Sequence, residues 1–116
     1  MSLTDLARRY VELSNAARLG DALAMFRDDA RYESSQVGAF EGRAAIEQMM
    51  RAFFDRYERP VWSVDAYTLV DDDTVEFVFT MTARAADGVA IERHGVERIA
   101  FDDEDRISRV WVDVRA

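Results

Sequence analysis

The sequence has no cysteine, one proline, one histidine and five glycines in 116 residues. Without cysteine there can be no disulfide, thiolate metal site or cysteine nucleophile, and a reducing compartment such as the cytoplasm fits. A single histidine, His94, excludes a zinc helix of the HExxH type and any multi-histidine centre. There is no phosphate-binding Gly-Lys loop, no GxGxxG turn and no GxSxG elbow. No apolar run approaches the roughly 18 residues that a membrane helix needs. Residues Met1 to Asp5 show neither the basic nor the apolar part of a signal peptide. The chain also lacks a basic stripe, so nucleic acid is not an expected partner. These absences predict a soluble cytoplasmic protein that binds no nucleic acid or membrane and needs no metal or cofactor.

What is present is enough for one core. Apolar residues make up 49% of the chain and charged residues 33%, a composition that folds rather than stays disordered. The length predicts a single domain over 1–116. The net charge is −8, but seven acids sit in two short clusters, Asp71-Asp72-Asp73 and Asp102-Asp103-Glu104-Asp105. These clusters read as solvated turns without catalytic duty.

Apolar residues at three- and four-residue steps, from Leu3 through Tyr10 to Ala17, predict a helix over 3–18. Ser2 is placed to cap it and Gly20 to stop it in a left-handed conformation. Asp21 then caps a shorter helix. Ala30 to Ser34 reads as extended, followed by a short hairpin around Gly38 and Gly42. From Arg43 to about Tyr57, Ile46, Met49, Met50, Phe53 and Phe54 trace a third helix, which Arg59-Pro60 ends. After Val61 the period changes to two. Val75, Phe77, Phe79, Met81 and Ala83 share one face, and four strands follow one another as hairpins. Helices first and strands after predict an α+β fold with an antiparallel sheet in the C-terminal half.

Two residues interrupt apolar faces. Tyr10 places a phenol on the buried stripe of the first helix, either as a core tyrosine or as a functional group. Counting by two from Phe101 through Ile99 reaches Glu97, which puts a carboxyl on an inward face, where burial favours the neutral acid. The alternative is a bulge at Gly95 that turns Glu97 to solvent and brings His94 inward.

Several segments together resemble the nuclear transport factor 2-like superfamily, in its group of SnoaL-like polyketide cyclases and ketosteroid isomerases. They are Arg9-Tyr10-Val11, Gly20-Asp21, Met25-Phe26-Arg27-Asp28-Asp29-Ala30, Gly42-Arg43-Ala44-Ala45-Ile46, and Glu97 to Phe101 continuing to Arg106-Ile107. The resemblance implies a cone-shaped, strongly twisted sheet whose three N-terminal helices close an apolar pocket. It also implies that Tyr10 takes the place of the tyrosine that binds a developing oxyanion, and Glu97 that of its protonated acid partner. The isomerases' general-base carboxylate falls on Ser34, and a serine with no activating partner cannot take a proton from carbon. A steroid isomerase is therefore not predicted.

The reading is a pocket protein that binds or transforms a small apolar, carbonyl-containing ligand. Its chemistry, if catalytic, is of the cofactor-free isomerase, cyclase or dehydratase type. Tyr10 and Glu97 are expected within hydrogen-bonding distance, with Ser34, Phe53, Phe77, Phe79, Met81, His94, Ile99 and Phe101 around them. The alternative is a non-catalytic ligand-binding or dimerisation module whose pocket is partly filled by its own side chains; a cavity of a few hundred cubic ångströms with a polar end separates the two. On the last strand, Trp111 alternates with valines. It is expected on the outer sheet face near Tyr67, at the centre of a homodimer interface.

Overall fold

A computed structural model describes residues 1–115. Helix α1 (Leu3–Asn15) opens with a capping box. The Ser2 hydroxyl accepts from the Asp5 N–H, and the Asp5 carboxylate accepts from the Ser2 N–H. Its buried stripe is Ala7, Tyr10, Val11, Leu13 and Ser14. The helix stops earlier than its periodicity predicts, and the left-handed residue after it is Ala17 (φ 56°), not Gly20. Gly20 and Asp21 instead lie inside α2 (Leu19–Ala24), whose N-cap is Arg18.

Strands β1 (Phe26–Ser34) and β2 (Gly38–Glu41) form the expected short hairpin. Gly42, at φ 88°, turns the chain into α3 (Arg43–Arg56), which buries Ile46 and Met50. Helix α3 ends at Arg56, and Arg59-Pro60 belongs instead to β3 (Tyr57–Val64). Arg59 is left-handed (φ 50°), and the pairing with the next long strand shifts between Glu58 and Val61, so Pro60 sits in a bulge. Strand β3 ends the sheet order, where a missing N–H is tolerated. The two-residue β4 (Thr68–Leu69) and the long β5 (Thr74–Ala85), β6 (Ala90–Phe101) and β7 (Ile107–Arg115) follow as a meander.

The result is an α+β fold with a twisted, unclosed sheet in the order β2-β1-β7-β6-β5-β3 and β4 paired to β5. One pairing differs from the antiparallel expectation. Strand β1, from the N-terminal half, runs parallel to β7, with Tyr32 opposite Val110 and Ser34 opposite Val112. The sheet is therefore mixed. On its inner face Val75, Phe77, Phe79 and Met81 of β5 meet Ile99 and Phe101 of β6 and Val110 of β7, all buried beneath the helices. Among the described residues no helix is long and apolar enough to cross a membrane.

Candidate binding site

Tyr10 reaches the interior because it lies on the stripe that seats α1 on the sheet. Its ring meets Phe26 edge-on, with centroids 5.6 Å apart. One turn later the Ser14 hydroxyl donates to the Tyr10 carbonyl (2.9 Å). Glu97 is turned inward by the period of β6. The β5–β6 register runs without interruption from Ala90 to Ala100, so Gly95 carries no bulge and Glu97 pairs with Phe77. The residue is 6% exposed.

Gly95 has a different function. A Cβ there would lie 2.6 Å from the Asp113 carbonyl oxygen and 2.7 Å from the Phe79 ring. Glycine lets that ring lie against the strand. With the register fixed, His94 points out of the core. The exposed His94 pairs with the half-buried Thr80 hydroxyl through Nδ1 (3.1 Å) and with the exposed Glu92 through Nε2 (2.9 Å), so it is no part of the interior.

Tyr10 and Glu97 border a narrow cavity of about 50 Å³ between α1, α3 and the sheet. Phe53, Met49 and Met50 of α3 form one wall, and the partly exposed Leu19, Phe54 and Trp62 ring its mouth. The Trp62 ring rests against Phe53 (5.8 Å) and Phe54 (6.1 Å). Among the residues expected around the site, Phe53 lines the cavity. Phe77, Phe79, Met81, Ile99 and Phe101 pack into the core behind it. Ser34 lies one pleat beyond the cavity on β1, where its hydroxyl accepts from the N–H groups of Gln36 and Val37.

A residue the sequence reading overlooked completes the site. Tyr32 of β1 also lines the cavity. Its place is a consequence of strand period: Ala30, Tyr32 and Ser34 alternate with Arg31, which pairs with Glu41, and Glu33, which pairs with Arg109, on the other face.

The electrostatics follow from burial. Glu97 is pushed up to about 8 by loss of hydration, with no charged partner to offset it. Burial also raises both phenols, Tyr10 well above its ordinary value, and the nearby Glu97 carboxyl adds to the effect in each. Near neutral pH all three groups therefore hold their protons. Among the described residues none of the three side chains hydrogen-bonds to another protein group, and the expected Tyr10–Glu97 bond is not formed. Among those residues no cluster of three or more His, Asp or Glu side chains is arranged to hold a metal ion.

The SnoaL-like domain family model matches residues 7–110, from within α1 into β7. The chain belongs to this family. Solved structures agree at the level of fold. An NTF2-like protein of unknown function from Exiguobacterium superposes with a TM-score of 0.85 at 18% identity, over 94% of this chain and 97% of that one. A candidate polyketide cyclase from Xanthomonas campestris gives 0.81 at 23% identity, over 96% and 88%. The epoxide hydrolase/cyclase-like enzyme SalBIII, of pyran ring formation in the polyether salinomycin, gives 0.88 at 14% identity, over 97% and 90%. Among curated proteins, no sequence match is found.

The outer face of this SnoaL-like sheet holds a second, open concavity of about 1010 Å³, bordered by Glu33, Glu76, Val96, Arg98 and Trp111. Trp111 is half-buried there under the Arg109 guanidinium, 4.4 Å from its ring centre. Tyr67 is not its neighbour. It stacks on Phe77 (5.0 Å) beneath Arg8, on the inner side of the SnoaL-like sheet.

Proposed function

We propose that this SnoaL-like protein binds a small apolar, carbonyl-containing ligand, with Tyr10 and Glu97 as hydrogen-bond donors to its oxygen. One observation carries the reading: the Glu97 carboxyl, on a residue only 6% exposed, opens onto a cavity walled mainly by aromatic, methionine and aliphatic side chains. A carboxyl at the end of an apolar cavity has lost most of its hydration, and a ligand oxygen placed there restores a hydrogen bond. Donors aimed at one point in a dry site stabilise an oxygen that gains negative charge, which suits cofactor-free isomerase, cyclase or dehydratase chemistry. The family name and the neighbours' printed names, cyclase and epoxide hydrolase/cyclase-like, lie in the same territory. Calorimetric titration with 4-nitrophenol, a single-ring oxyanion mimic, tests it. Tyr10→Phe and Glu97→Gln should each weaken binding by about 1–3 kcal/mol, non-additively if both donate to one oxygen. Unchanged binding in both variants refutes the assignment.

A second reading, a non-catalytic binding or dimerisation module, is favoured by the cavity's size. About 50 Å³ is well below the roughly 300–1,000 Å³ of ordinary ligand sites. On that reading Tyr10→Phe and Glu97→Gln bind 4-nitrophenol no differently from the wild type.

The proposal extends to assembly and setting. The outer face places the Val78–Val96 cross-strand pair beside Trp111, and Val78 is 67% exposed. An apolar strip with an aromatic anchor suits a two-fold homodimer. A monomeric mass by light scattering at micromolar concentration counts against it. The cysteine-free composition fits the cytoplasm, the setting proposed here.

A further inference from the structure

Tyr32 lies outside the Tyr10–Glu97 pairing, yet it opens onto the same cavity from a different element. Tyr10 descends from α1, Glu97 rises from β6, and Tyr32 comes from β1. Strand β7 separates the last two. Tyr32 stands opposite Val110 and Glu97 opposite Val112, so one strand and one pleat lie between them on the same inner face. Both side chains nonetheless border the one cavity. No lysine, arginine, histidine or amide side chain borders the cavity, and the Ser14 hydroxyl is already committed to a backbone carbonyl. The cavity thus presents three O–H groups without a protein acceptor.

Three donors are more than a ketone oxygen uses, since it has two lone pairs. An oxygen that has taken up negative charge accommodates a third. We propose that Tyr32 is a third hydrogen-bond donor of this site, and that the donor set selects compact, single-ring or smaller ligands ending in an enolate- or phenolate-like oxygen. The size limit follows from the cavity: it admits the oxygen-bearing end of a ligand, while the remainder must lie against the mouth formed by Phe54 and Trp62. This rests on the reading that Tyr10 and Glu97 hold a ligand oxygen. It adds a residue and a ligand class to that reading. Below the titration of Glu97 near 8, all three groups are protonated, in keeping with the donor role.

The test uses the full chain near pH 7, where 4-nitrophenol is partly ionised and Glu97 keeps its proton, with two probes of one shape, 4-nitrophenol and 4-nitrotoluene. Tyr32→Phe keeps the ring and removes the hydroxyl. It should weaken 4-nitrophenol by roughly 10- to 100-fold, leave 4-nitrotoluene unchanged, and leave Tm within a degree or two of the wild type. In the wild-type chain the Tyr32 Cζ resonance should shift with 4-nitrophenol and not with 4-nitrotoluene. Equal loss for both probes makes Tyr32 a wall residue and overturns the inference. Full 4-nitrophenol affinity in Tyr32→Phe, with Tyr10→Phe and Glu97→Gln impaired, overturns it and leaves the two-residue reading standing. No binding of 4-nitrophenol by the wild type removes both.

Discussion

Asn15 and Trp62 are joined by two hydrogen bonds, although 47 residues separate them. The Asn15 side-chain amide donates to the Trp62 carbonyl (2.9 Å), and its oxygen accepts from the Trp62 N–H (2.8 Å). The last residue of α1 thereby acts as a short extra strand for β3 and fixes the backbone that carries the indole at the cavity mouth.

Asn15→Ala should therefore cost about 1–2 kcal/mol in urea unfolding, since both bonds lie near solvent. It should also loosen Trp62, visible as a red shift of tryptophan emission in the folded state. Asn15→Asp keeps one acceptor for the Trp62 N–H and should fall between the two.

Gly95→Ala makes a sharper demand. The added methyl meets the Asp113 carbonyl and the Phe79 ring, and the carbonyl cannot move without disturbing the β6–β7 ladder. Overpacking of this kind costs about 1–3 kcal/mol. Gly95→Ala combined with Phe79→Leu should recover part of the loss. No change in the denaturation midpoint of the single variant would mean that the ring is not packed on Gly95.

The acidic cluster at 102–105 divides into unequal members. Asp102 is only 11% exposed and accepts from the N–H groups of Glu104 and Arg106, with Arg27 and Arg106 close by. The Arg106 N–H, first among these, holds its carboxyl below the ordinary range. Asp102 thus organises the turn, contrary to the expectation that all four acids are merely solvated. Asp102→Ala should lower Tm clearly, and Asp103→Ala should not. The Asp102 contribution is present above its unfolded value near 3.8 and is lost as pH falls.

Much of the fold could be read from local patterns. The Ser2 cap, the Met49–Phe53 stripe and the alternation from Val75 to Ala83 are all short-range, and each formed where the local pattern put it. The parallel joining of β1 to β7 had no local signature, because it depends on how α3 carries the chain over the sheet. The site was half legible. Glu97 was reachable by counting from Phe101, and the same parity sends His94 outward once Gly95 is known to carry no bulge. Tyr32 was missed because Arg31 and Glu33 make its strand look polar. The alternation Ala30, Tyr32, Ser34 was the available signal.

Keeping Glu97 inside has a stability cost that depends on pH. Its proton is held to about 8 in the fold but released near 4.5 when unfolded. Its favourable contribution is present in full below about 4.5 and is lost as pH rises towards 8. Glu97→Gln cannot ionise. It should match the wild type near pH 4 and become more stable than it by a few kcal/mol at pH 8, measured by urea midpoints across that interval.

The central claim is that a neutral acid waits in the cavity, and carboxyl-carbon NMR of Glu97 tests it most directly. With glutamate labelled at Cδ and Glu97→Gln used for assignment, the resonance should titrate with a midpoint near 8 and move to its protonated position when 4-nitrophenol binds. A midpoint in the ordinary range near 4.5, or one indifferent to 4-nitrophenol, would contradict the account.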